Sequence, residues 1–253
     1  MAKNSIGYVQ RGLSLINQHK TAYAALFLAW YLPVFLLRRL YDAYLEPLVP
    51  ERIDPVIDDV LFTFVFGLFA VAIVLHEYRR AYASDANRIA TNGADTFGRF
   101  TNGVLTFSVS VIADLPVTIL TIGWPNLFAP SIGPLSSFPL IPFRLLAIAI
   151  RIAAFLVLPI AVFDNCGPGA AFVKSWRWVR KHFDTAIVTM VVIFIVTLPL
   201  LVLVAFGMNA DVSDRIALQI LWWVALSVPA GLAVTITTVV ALVIRNQISG
   251  SAE

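Results

Sequence analysis

A chain of 253 residues that is 59% hydrophobic and only 13% charged cannot cover a soluble surface with polar groups, which excludes an ordinary soluble domain. Its mean hydropathy of +0.84 points the same way. The net charge of +3 would fit nucleic-acid binding in a soluble protein. In so apolar a chain it marks cytoplasmic loops instead, and no nucleic-acid partner is expected.

Residues 5–17 place Ile6, Val9, Leu13 and Ile16 along one helical face, the spacing of a short helix lying on a membrane surface. Residues 22–37 form a first apolar span containing Pro33; it runs straight into Arg38-Arg39 and reads as a retained anchor. Residues 38–59 are polar and acidic, broken by Pro47, Pro50 and Pro55. Residues 60–75 make a second span. A weaker amphipathic stretch at 90–100 leads into a third, residues 104–122, with Asp114 near its middle. The Pro-rich, apolar and aperiodic residues 124–143 read as a loop at the interface or dipping back into the bundle. Residues 144–163 form a fourth span carrying Arg151, and Gly167-Pro168-Gly169 marks a turn. In residues 170–183, Phe172, Val173, Trp176, Val179 and Phe183 share a face opposite Lys174, Arg177 and Lys181, the pattern of a second surface helix. Residues 185–206 and 216–244 are the last two spans. The expected class is all-α: a polytopic bundle of six spans in one membrane domain.

Leu32-Pro33, Leu115-Pro116 and Leu198-Pro199 are spaced 83 residues apart, and each proline falls in the outer half of an odd-numbered span. Phe100 and Phe183 precede their Leu-Pro by the same fifteen residues. The spacing predicts three units, residues 5–84, 85–167 and 168–245, each a surface helix followed by two spans. Two spans return the chain to its starting side, so the copies are parallel around an axis along the membrane normal. Pro33, Pro116 and Pro199 are the expected helix kinks. With the N-terminus inside, twelve Lys and Arg fall on inner segments against five on outer ones. The expected location is the cell membrane, with both termini cytoplasmic.

Asp114 and Arg151 lie at one depth on adjacent antiparallel spans, about 11–12 Å from the outer surface at 1.5 Å rise per residue. Opposite charges so placed should pair, because either alone in the bilayer costs at least ~2.5–3.5 kcal/mol. Pro116 also frees the carbonyl of Ile112 as an acceptor for Arg151. The pair reads as a structural tie or as part of a solute pathway. Tyr31 and Thr197 stand where the other units would carry Asp114, which favours structure. His19, His76 and His182 fall at the inner boundary without ligand spacing, and His76-Glu77 does not continue as HExxH, so no metal or cofactor is expected. Cys166 is a lone cysteine, with neither a disulfide partner nor a companion for nucleophilic catalysis. The exposed set Lys174, Trp176, Arg177, Trp178, Arg180 and Lys181 would meet anionic headgroups of the inner leaflet, and a protein partner could dock on the same face.

The run from Leu158 through Gly167-Pro168-Gly169 to Ala171-Phe-Val-Lys-Ser-Trp176 resembles the prokaryotic membrane domain fused to glycerophosphodiester phosphodiesterases and its stand-alone relatives; Gly7 to Ile16 follows it more loosely. The resemblance implies a helical membrane domain without catalytic residues of its own, and the hydrolase portion has no counterpart here. Mitochondrial carriers share three two-span repeats with proline kinks, but their Pro-acid-base signature is not met after Pro33, Pro116 or Pro199. The expected function is that of a non-enzymatic scaffold, accessory subunit or bilayer-organising protein, the alternative being a small-solute or ion transporter with its polar site at Asp114 and Arg151.

Overall fold

Apolar runs interrupted by proline and glycine leave the chain one economical way to satisfy its backbone, within helices. The computed structural model describes residues 2–44, 54–83, 93–118, 149–150, 152–208 and 216–250, and among these there is no strand. Helix α1 (Ala2–Gln18) is followed by α2 (Lys20–Leu26), a π turn (Phe27–Tyr31) and α3 (Leu32–Tyr44) in one rod. Then come α4 (Asp54–Ala83), α5 (Gly93–Thr118), α6 (Val157–Phe163), α7 (Pro168–Lys181), α8 (Phe183–Met208) and α9 (Ile216–Gly250). The fold is all-α. Among the described residues two stretches, Phe183–Val204 and Leu221–Gln247, are long and apolar enough to cross a membrane; Lys20–Leu36 and Ile152–Phe163 are shorter apolar helices.

Helices α4, α6 and α9 touch one another at the centre. Around them, the α2–α3 rod lies against α4 and α9, α5 against α4 and α6, and α8 against α9. Three sets of positions 83 residues apart are each buried throughout. Ile73, Leu156 and Val239 are buried on the three central helices, as are Tyr78, Ala161 and Ile244; Tyr23, Thr106 and Thr189 are buried on the peripheral ones. Two junctions use the same joint, an aromatic ring seated on a glycine. Phe107 of α5 lies on Gly67 of α4, and Phe27 lies on Gly231 of α9. A side chain at either glycine would overlap the ring.

The short helices α1 and α7 pack across the ends of these elements, α1 on α8 and α9, α7 on α5 and α6. Each meets the following rod through a single histidine of similar backbone conformation, His19 (φ −117°, ψ 27°) and His182 (φ −126°, ψ 42°). The expected two-faced pattern becomes three-faced. On α7 the buried stripe is Ala171, Ser175 and Val179, so Val179 turns inward, while Phe172, Val173 and Trp176 remain exposed on the neighbouring flank. On α1 the stripe is Ser5, Val9 and Gly12, and Ile6 and Leu13 are exposed beside it. Small residues let the helix axis approach the bundle, which moves the bulky flank aside rather than beneath. Ser175 secures the contact by donating from Oγ to the carbonyl of Ala153 at 2.6 Å.

Proline acts differently at each site. Pro33 follows the π turn, in which Leu32 N–H reaches back five residues to Phe27. That turn keeps Tyr23, Phe27, Tyr31 and Phe35 facing the bundle at four-residue spacing, Phe27 half-buried and the others buried, with Phe27 and Tyr31 stacked at 5.1 Å and Tyr31 and Phe35 at 5.8 Å. Pro199 and Pro229 sit inside α8 and α9, which continue through them. Helical geometry lapses into a turn at Phe155 and Leu156, where the ring of Pro159 would collide with the carbonyl four residues back. The stretch 90–100 is not a separate helix over its described part: from Gly93 it belongs to α5. The loop at 124–143 lies outside the described residues.

Candidate functional site

The turn expected at Gly167-Pro168-Gly169 is built two residues earlier. Asn165 adopts the left-handed conformation (φ 47°) after α6, and Cys166 N–H bonds back to the carbonyl of Ala161 at 3.1 Å, a Schellman-type end. Asn tolerates this conformation better than most residues, and its Oδ1 accepts from Asn102 Nδ2 at 2.8 Å. Gly167 then stands as N-cap and Pro168 opens α7, where its missing N–H has no intrahelical partner to lose.

The carbonyls at the end of α6 are closed by a residue from α5. Arg99 Nη1 donates to Val162 O and Phe163 O, both at 2.8 Å, while its Nε donates to Asp95 Oδ2 at 2.9 Å. Its guanidinium lies 4.1 Å above the Tyr78 ring, and Tyr78 OH donates to the same Asp95 oxygen. A cation at a helix C-terminus also answers the negative end of the dipole. The Arg99 hydrogen bond holds the Asp95 carboxyl below its ordinary range, against the opposing effect of burial.

Asp164, the next residue, ties three helices together. It accepts from Lys174 Nζ of α7 and from Arg245 Nη2 of α9, each at 2.6 Å. Arg245 also lies 4.6 Å above the Phe163 ring. Burial pushes the Asp164 carboxyl up, but the hydrogen bonds from Lys174 and Arg245 outweigh it and leave it below the usual carboxylate range. The hydrogen bond to Asp164 raises Lys174 in turn. A third group joins Glu77, buried on α4, to Tyr23 OH at 2.8 Å and Arg80 at 2.8 Å.

Between α4–α9 lies a cavity of about 980 Å³ with largely apolar walls. Hydroxyls of Thr106, Ser110, Thr197, Thr237 and Thr238 belong to its lining residues. Ser110, Thr197 and Thr237 donate to carbonyls of their own helices, so their protons are already engaged.

Of the residues singled out from sequence, Arg151 and the side chains of Asp114 and Pro116 lie outside the described residues; the backbones of Asp114 and Pro116 belong to α5. The basic and aromatic set all falls on α7, but it divides. Trp176, Arg177, Arg180 and Lys181 are exposed, Lys174 is committed to Asp164, and Trp178 packs into the core with its ring 5.5 Å from His182. Asp95, Arg99, Glu77, Asp164 and Arg245 were not singled out. Asp95 and Arg99 carried a usable signal in their i,i+4 spacing, as did Glu77 and Arg80 at i,i+3. No group of three or more His, Cys, Asp or Glu that could hold a metal occurs among the described residues. Comparison with family models, curated proteins and solved structures finds no match to this chain.

Proposed function

We propose that the chain is a multi-pass membrane protein of six spans, arranged as three parallel two-span units, that acts as a non-enzymatic scaffold, accessory subunit or bilayer organiser. The observation that carries this reading is the pair of helices α1 and α7. Each is fixed to the bundle through a stripe of small residues and leaves a bulky apolar flank exposed, with arginines beside that flank on α7. Such a helix, held by protein on one side, suits the plane between hydrocarbon and headgroups. The central triple of α4, α6 and α9, the burial shared at 83-residue spacing and the two ring-on-glycine joints support the threefold arrangement. The likeness of residues 158–176 to the phosphodiesterase-associated membrane domain belongs to the same proposal. So does the cytoplasmic placement of both termini.

The test uses the chain's sole cysteine. In intact cells Cys166 should resist a membrane-impermeant maleimide and react after permeabilisation, whereas Val212→Cys in a Cys166→Ser background should label from outside. Labelling of Cys166 in intact cells would overturn the orientation. For function, replacing both Asp114 and Arg151 by Leu separates the scaffold from a solute pathway: retained folding with loss of solute flux would favour the pathway.

A further inference from the structure

The cavity has an inside and a mouth. Its inner wall is built from buried Gly67, Thr106, Ala230 and Ala233, and its outer lining includes exposed Val109, Phe172, Val173 and Leu201, contributed by α5, α7 and α8. The mouth therefore adjoins the apolar flank of α7. At about 980 Å³ the space lies at the top of the ~300–1,000 Å³ range of small-molecule sites. Its described lining holds no charged residue. Five hydroxyls scattered over mostly apolar walls, with no charged group among them, are too few polar groups to replace the water shell of an ion. Left empty, the apolar atoms of its walls forfeit dispersion contacts. In a bilayer, hydrocarbon chains are what lies beside such a mouth.

Charge beside the mouth selects among chains by what they carry. Arg177 follows Val173 by one helical turn, which makes the two neighbours on the surface of α7. It is exposed, whereas Lys174 is turned to Asp164. The first turn of α7 contains no acidic residue to repel an anion. A guanidinium offers paired donors suited to a phosphate diester. We infer that the cavity holds the acyl chain of an anionic phospholipid, entering between α5 and α8 with its headgroup beside Arg177. This deepens the membrane reading and rests on it.

The experiment uses the full chain in nanodiscs of mixed phosphatidylglycerol and phosphatidylcholine, each in turn doped with a version carrying a diazirine in its acyl chain, followed by peptide mapping of the crosslinks. The phosphatidylglycerol probe should label the cavity peptides of α5 and α9 in preference to Phe194 and Ile195, which are exposed elsewhere on α8. Filling the space with Thr237→Phe should cut cavity labelling by about tenfold, equivalent to ~1.4 kcal/mol, and leave Phe194 and Ile195 unchanged. Ala154→Phe fills it from another wall and serves if Thr237→Phe fails to fold. Arg177→Gln should remove the preference for phosphatidylglycerol while phosphatidylcholine labelling stays the same. Cavity labelling no stronger than at Phe194, or unaffected by filling, overturns the chain site; equal labelling by both probes in the unmodified protein overturns the headgroup assignment. Release of the unmodified chain from membranes by alkaline carbonate, measured first, would instead defeat the membrane reading itself.

Discussion

Removing the Asp164 carboxylate strips one acceptor from two cations that differ in burial. The Arg245 side chain is 15% exposed and that of Lys174 is 49% exposed, although both bonds measure 2.6 Å. A hydrogen bond to a charged group contributes about 1.5–3 kcal/mol, and the low exposure and ring contact of Arg245 place it within that range. The half-exposed Lys174 arm, screened by solvent, contributes about 0.5 kcal/mol. Against these stands the position of Asp164 at the C-terminal end of α6, where the helix dipole disfavours a negative charge by ~0.3–1 kcal/mol. Asp164→Ala should therefore destabilise the protein by about 2 kcal/mol net. A double-mutant cycle removes the dipole contribution. Asp164→Ala with Arg245→Met should give a coupling of ~1.5–2 kcal/mol, and Asp164→Ala with Lys174→Met about 0.5 kcal/mol. Reversible unfolding in mixed micelles, followed by the fluorescence of the six tryptophans, measures each corner. Equal couplings, or a larger one for Lys174, would refute the ranking by burial.

Gly67→Ala should destabilise by about 1–3 kcal/mol because its methyl meets the Phe107 ring, and adding Phe107→Leu should recover part of the loss in the same unfolding assay. Ser175→Ala should cost about 1 kcal/mol by leaving the Ala153 carbonyl without its donor; Ser175→Leu should lift α7 and expose the 164–168 turn to protease. Asp95 and Asp164 are both depressed from an ordinary 3.8, so the stability they contribute is present in full above that pH and lost as pH falls through their lower folded values. Unfolding free energy should thus be level near neutrality and fall in acid, with Asp95→Asn and Asp164→Asn each flattening the acid limb. A steeper acid limb in either variant would contradict the sign.

The helices were legible where a long apolar run was unbroken by charge. The apolar runs at 185–206 and 216–244 became α8 and α9 nearly within their expected limits, because composition alone decides such segments. The stripe by which α7 meets the bundle was not read from the sequence, since hydropathy ranks Phe172 and Trp176 above Ala171 and Ser175, whereas close helix approach selects for small side chains. Asn165 was passed over for Gly167 by the ordinary preference of glycine for left-handed backbone. The Asp164–Arg245 bond joins residues 81 apart, and nothing in local spacing announces it. Asp114 and Arg151, prominent in the sequence because charge is rare there, fall where the described residues do not test their pairing.

The π turn between Phe27 and Tyr31 bears on what lengths this segment tolerates. A regular helix of 3.6 residues per turn would carry every fourth side chain about 40° further round its circumference. Over the twelve residues from Tyr23 to Phe35 that drift would reach about 120°, and the one extra residue in the π turn takes back about 100° of it, so both stay buried on one side. Substitutions on the outward side at Leu28 or Ala29 leave this alignment intact, and deleting one of them would let the turn close as an ordinary α turn with Phe35 still on the core side. The rod should vary freely in its outer chemistry and accept the loss of one residue at this turn, whereas a further insertion would carry Phe35 about 100° out of line.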